Sequence, residues 1–266
     1  MRVIKRWVRY QYAEHRITQR RNSISAQLAD VLGGNVRFQR SGNRGQDSIY
    51  IVLCDDVPRA VLRLVNPYRR AKDMDMNMPY IPLPSIERLS REWQAYQTGM
   101  EKDLTPCPLW RCDDAILCKY LPYGSLHDEL LLHPDAFWRL ILLASQRLNE
   151  LHSSGITHMD ASLANILTDN SLNHMVFVDF EFGANEKLNV GQQRAYDYLR
   201  LLESSIKFMP SNENFEHKAW LELLLTITDQ ETKQAEIQPL LPALTRLKKD
   251  SCLWLAVQQI FPAAKL

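Results

Sequence analysis

His158–Gly183 reads HMDASLANILTDNSLNHMVFVDFEFG. Two short apolar runs, IL and MVFV, flank the polar stretch TDNSLNH, a pattern that predicts a β-hairpin. Asp160 precedes the hairpin on a loop, Asn165 stands at its entry, and Asp179 ends its return strand. A tight hairpin brings its ends together, so Asn165 and Asp179 are expected side by side. Oxygen donors of this kind suit a hard divalent cation such as Mg²⁺, with substrate phosphates completing the shell. A carboxylate set just before them, Asp160, suits a group that orients a hydroxyl and takes its proton.

Upstream of this stretch, Pro134–Ser154 places Phe137, Leu140, Ile141, Ala144, Leu148 and Leu151 at helical spacing, with Gly155 as its stop. Further back, Asn35–Arg40, Ser48–Cys54 and Arg59–Val65 alternate like strands, with SGNRGQD and a turn at Asp55–Pro58 between them. Residues 23–33 read as a short helix stopped by Gly33 and Gly34. A second helix is expected over Ser85–Gly99 with Ser85 as N-cap, and a strand over Ala115–Tyr120. Residues 66–84, which hold Met74, Met76, Met78, Pro79, Pro82 and Pro84, read as irregular. LPYGS reads as a connector, and helices are expected from about Gly191 onward. The order implies an α+β protein of two lobes: an extension over 1–34, a sheet-rich lobe over 35–120 and a helical lobe over 121–266.

The spacing H-x-D-x-x-x-x-N, followed by an apolar strand and D-F, resembles the catalytic and metal loops of the protein-kinase-like superfamily. The supporting parts occur in order over roughly residues 35–205. The resemblance implies ATP and Mg²⁺ as cofactors and Asp160 as the catalytic carboxylate, with Asn165 and Asp179 as metal ligands. Gly42 and Gly45 fall in a loop similar to the one that covers the phosphates. Arg63 occupies the place of the family's strand lysine. Glu92 is its expected helix partner, with Glu87 the rival. Lys119, Tyr120 and Leu121 resemble the hinge that holds adenine through its backbone. His158 is expected to donate to backbone near the metal loop.

Several departures narrow the resemblance. Arginine replaces lysine at position 63, as in some small-molecule kinases including choline kinases, with a different reach and a forked geometry. The family's DFG is here Asp179-Phe180-Glu181, and D-F-E is typical of choline-kinase-like enzymes. Glu181 thus either joins the metal site or faces solvent. No A-P-E motif or long activation segment follows. Asp197, in RAYDYLRLLES, resembles the helix aspartate that buttresses the catalytic loop in small-molecule and lipopolysaccharide kinases. Ser162 stands where Ser/Thr kinases carry a lysine. GSLHDELLLHP and NELHSSGITHMDASLANIL resemble bacterial lipopolysaccharide-core kinases more than aminoglycoside enzymes. That implies phosphate transfer to a core sugar hydroxyl. An atypical or autophosphorylating protein kinase, a choline- or aminoglycoside-type kinase and a pseudokinase stay open.

The composition agrees with a soluble globular chain: 45% hydrophobic, 24% charged, with no run of 18 apolar residues. No signal peptide is apparent, and five irregularly spaced cysteines suggest reduced thiols in a cytoplasmic protein. Residues 1–22 carry seven Arg or Lys against one Glu, or +6, leaving −5 for the rest of the chain. With Trp7, Tyr10 and Tyr12 among these charges, the segment suits either the anionic inner face of a membrane or a solvated first helix. The expected partner is a saccharide or small-molecule acceptor, with no nucleic acid. The Met/Pro stretch at 74–84 is open to two readings: a connecting loop, or a support for a lipid-linked acceptor.

Overall fold

The computed structural model describes residues 2–41, 45–69, 75, 77–210 and 216–264. Gly42, Met74 and Met76 lie outside the described residues. The chain is mixed α+β and divides into two compact units, consistent with the two-lobed kinase-like class. One unit comprises Met1–Asp73, Pro84–Trp93 and Pro106–Leu121; the other comprises Met74–Leu83, Gln94–Thr105 and Pro122–Leu266.

The first unit is built on an antiparallel sheet of β1 (Val36–Arg40), β2 (Asp47–Cys54), β3 (Val57–Val65), β5 (Pro108–Cys112) and β6 (Ala115–Lys119), in the order β1-β2-β3-β6-β5. Alternation does the work in β3: Ala60, Leu62 and Leu64 are buried while their neighbours are not. Two helices precede the sheet, α1 (Arg2–Arg16) and α2 (Thr18–Leu32), so helix begins well before residue 23. Ile24 and Leu28 of α2 join the sheet core beside Tyr50, Val52, Leu62 and Leu117. Each such Leu or Ile contributes about 1.5–3 kcal/mol on burial. Gly33 closes α2 in the left-handed region at φ +72°. The strand β5 escapes sequence reasoning because Pro108 and its half-exposed residues mask the alternation.

Glu14 fastens α1 to the sheet. Its fully buried carboxylate accepts hydrogen bonds from the Ser48 and Tyr50 hydroxyls, both at 2.5 Å, and from Arg69 Nη2 at 3.0 Å. Burial alone would raise its pKa. The hydrogen bonds from Ser48 and Tyr50 and the charges of Arg40 and Arg69 outweigh that and hold it below the ordinary carboxylate value. Glu14→Ala leaves these donors buried without their acceptor, so it should cost about 3–5 kcal/mol in denaturant unfolding. A folded pKa below the unfolded one means the contribution is complete above the unfolded value. It is then lost as pH falls through the folded value. An acid titration of wild type against Glu14→Ala should therefore show the two converging at low pH.

In the second unit, α5 (Phe137–Ser153) buries Phe137, Leu140, Ile141, Ala144, Leu148 and Leu151, all at most 1% exposed. Gly155 follows in the left-handed region at φ +78°, where a side chain would be strained. The helix α6 (Val190–Ser205) starts on a capping box of Asn189 and Gln192. Helices α7 (Glu216–Ile227), α8 (Gln230–Lys233) and α9 (Ser251–Ile260) complete the unit.

Three sequence expectations change. LPYGS is not only a connector, for β7 (Gly124–Ser125) leads straight into α4 (Leu126–Leu132), capped by the Ser125 hydroxyl. Residues 66–84 contain β4 (Tyr80–Pro82), which pairs with β10 (Phe182–Ala184), Gly183 lying opposite Ile81. Finally, in α3 (Ser85–Gly99) the Pro84 carbonyl, not that of Ser85, accepts the first helical bond, from Arg88 N at 2.9 Å. Ser85 is thus the first helical residue and not the cap.

Candidate active site

The hairpin forms as the sequence implies. β8 (Ile166–Thr168) pairs with β9 (Met175–Phe177), Ile166 opposite Phe177. Asp169 stabilises the turn by accepting from the amides of Asn173 and His174, both at 3.2 Å. At the open end, Val178 N donates to Asn165 O at 3.0 Å, which draws the chain just before Asp179 against Asn165. Asp179 has φ +70°, a left-handed conformation costing a non-glycine residue about 1–2 kcal/mol. Strain of this kind is retained where surrounding structure over-determines the backbone. Here Phe180, fully buried, stacks on His158 at 4.4 Å and meets Tyr96 edge-on. Glu181 is half-buried beside it.

Asp160 lies on the loop ahead of the hairpin, and two side chains grip it. Asn165 Nδ2 donates to Asp160 Oδ2 at 3.0 Å, and Arg200 Nε donates to Oδ1 at 2.8 Å. Burial raises the Asp160 carboxyl above its ordinary value, while the charge of Arg200 and its hydrogen bond work in the opposite direction. His158 is fully buried; its Nε2–H donates to Val178 O at 3.0 Å, and its Nδ1 accepts from Asp160 N at 3.3 Å. Burial also lowers its pKa, and through these two bonds the ring braces the loop.

Asp197 on α6 holds the backbone of that loop. Its carboxylate, fully buried, accepts from His158 N at 2.7 Å, from Met159 N at 2.8 Å and from His152 Nε2 at 3.0 Å. Met159 sits at φ +65°, a second strained residue fixed by these bonds.

Within the sheet-rich unit, Arg63 Nη1 meets Glu92 Oε2 at 2.6 Å, and both side chains are nearly buried. Glu87 is exposed, so Glu92 is the partner. Sequence reasoning missed a second pair beside it: Arg88 forks onto Asp47 at 2.6 and 3.0 Å, and Asp47 Oδ2 also lies 3.9 Å from Arg63. Arg88 and Glu92 are four apart on α3 and so share a face, the one signal the sequence held. Gly45 adopts φ +87° after the undescribed residues 42–44. In the hinge-like segment, Lys119 N donates to Cys107 O and Tyr120 N to Arg59 O, so those two amides are engaged internally.

Two oxygen donors near the hairpin mouth are of the kind that could hold a hard cation. Asn165 turns its amide nitrogen on Asp160, which leaves its oxygen for a cation, and Asp179 supplies a carboxylate. Among the described residues no group of three His, Cys, Asp or Glu forms a closed metal cage.

No family model matches the chain. Over 176 residues it is 25% identical to the MAP kinase kinase kinase win1 of Schizosaccharomyces pombe. The match covers 61% of this chain and 12% of that protein, so the chain spans only a small part of its relative's length. This similarity, with the α+β fold, supports a protein-kinase-like relationship. Among the described residues no helix is long and apolar enough to cross a membrane.

Proposed function

We propose that the protein is an ATP-dependent phosphotransferase that moves the γ-phosphate to a hydroxyl of a non-protein acceptor, a lipopolysaccharide-core sugar in the leading reading. One observation carries the kinase part: Asp160 is bonded to Asn165 at the mouth of the hairpin that ends in Asp179. Asp160 orients the acceptor hydroxyl and receives its proton, Asn165 and Asp179 hold Mg²⁺, and Glu181 stands by as a further carboxylate. When bound, the cation neutralises charge on the phosphates. Arg63, paired with Glu92, is the residue suited to supply positive charge to phosphates, and Gly45 and Leu121 keep the phosphate-loop and adenine roles that the resemblance implies.

The short path after Asp179 favours a compact acceptor. Phe182–Ala184 pairs at once with β4, and α6 begins at Val190, leaving little chain for a peptide platform. The basic helix α1, with Trp7, Val8 and Tyr12 exposed, suits peripheral attachment to an anionic membrane where a lipid-linked sugar resides. The similarity to win1 favours a second reading, transfer to a protein hydroxyl. Mass spectrometry after incubation with Mg-ATP and a core oligosaccharide separates them. Phosphate on the sugar supports the first reading. Stoichiometric phosphate on Ser or Thr, with none on sugar, overturns it.

A further inference from the structure

We propose that Arg200 is a positioning residue for the transfer reaction, fixing the Asp160 carboxylate in the orientation that meets the acceptor hydroxyl. The proposal rests on the phosphotransferase reading and adds to it a residue that neither the motif nor the similarity assigns.

The argument begins with α6. Asp197 and Arg200 are three residues apart and therefore lie on one face of the helix. That face meets the catalytic loop at two levels: Asp197 takes the amides of His158 and Met159, and Arg200 takes the Asp160 side chain. An aspartate has two rotatable side-chain bonds. Asp160 has one oxygen bonded by Arg200 and the other by Asn165, so rotation of the carboxylate breaks at least one bond. Each oxygen retains a second lone-pair direction for the acceptor hydroxyl.

Charge points the same way. Asp160, Asp179 and Asp197 bring three carboxylates into this region. Ser162, where the related Ser/Thr kinases carry a lysine, contributes no charge. Arg200 is the cation bonded to Asp160, and it comes from 40 residues away in sequence. Tyr196, fully buried, lies on the same helix as Arg200. Tyr80 in turn stacks on Tyr196 with centroids 6.1 Å apart.

The test measures ADP release from Mg-ATP by the full chain, with core oligosaccharide, choline, casein or water alone as acceptor. Wild type, Asp160→Asn, Arg200→Gln, Arg200→Lys and the Asp160→Asn/Arg200→Gln double variant are compared. Arg200→Gln should lower kcat by about 10²-fold, the cost of a misplaced catalytic group, with KM for ATP within about twofold of wild type. Arg200→Lys, which keeps the charge but not the Nε geometry, should lose about tenfold and covers the case in which the glutamine variant does not fold. The double variant should be no slower than Asp160→Asn alone, because Arg200 acts through Asp160. If wild type and Asp160→Asn behave as a kinase and its inactive variant while both Arg200 variants keep full kcat, Arg200 is overturned alone. Additive losses in the double variant also overturn it. No ADP release by wild type with any acceptor, or undiminished release by Asp160→Asn, brings down the phosphotransferase reading and Arg200 with it.

Discussion

Asp160→Asn should reduce phosphoryl transfer by about 10²–10⁴-fold, the range of a general base, while Mg-ATP still raises the melting temperature. The substitution keeps the shape of the side chain and its bond to Arg200, since an amide oxygen can accept from Arg200 Nε. It removes the negative charge and the proton-accepting oxygen. The new amide nitrogen faces Asn165 Nδ2, so that bond is lost, but Asn165 Nδ2 keeps its bond to the backbone carbonyl of residue 160 and Asp179 is untouched, so cation and nucleotide binding should persist. Loss of ATP stabilisation together with turnover would instead make Asp160 part of the binding site. Single-turnover measurements beside a thermal shift with and without Mg²⁺ distinguish the two.

Asp197→Ala should be the most damaging single change to the helical unit. It removes one acceptor from three buried donors: the amides of His158 and Met159 and the His152 ring. Each stranded donor costs about 1–3 kcal/mol, and the left-handed Met159 loses what holds it there. A total near 3–5 kcal/mol in chemical denaturation is expected, below the simple sum because the loop relaxes. Turnover should fall with stability, as Asp160 follows directly on the released backbone. A variant that unfolds like wild type would mean the loop is held by the His158–Val178 bond and the Phe180 stack alone.

The hairpin and its polar ends were legible because every part lies within a short stretch. Local turn chemistry at Asp169 and two apolar runs suffice to bring Asn165 next to Val178. Asp197 was within reach only through the resemblance, since nothing in its own neighbourhood marks it. Arg200 and the Asp47–Arg88 pair were not legible. Helix arginines ordinarily face solvent, and these bonds join residues about forty apart that only tertiary packing brings together. β4 and β10 were missed for a related reason: three-residue strands, β4 set among prolines, carry no periodicity and exist only as a pair. Glu14, a lone acid in a basic helix, resembled a solvated residue until Ser48 and Tyr50 closed on it.

The most direct measurement is ADP release from Mg-ATP by wild type and Asp160→Asn, with core oligosaccharide beside choline and casein as acceptors. The account predicts Mg²⁺-dependent release by wild type that core oligosaccharide stimulates and Asp160→Asn lowers by about 10²–10⁴-fold. Release stimulated by casein alone, or nucleotide binding with no release under any acceptor, would contradict it.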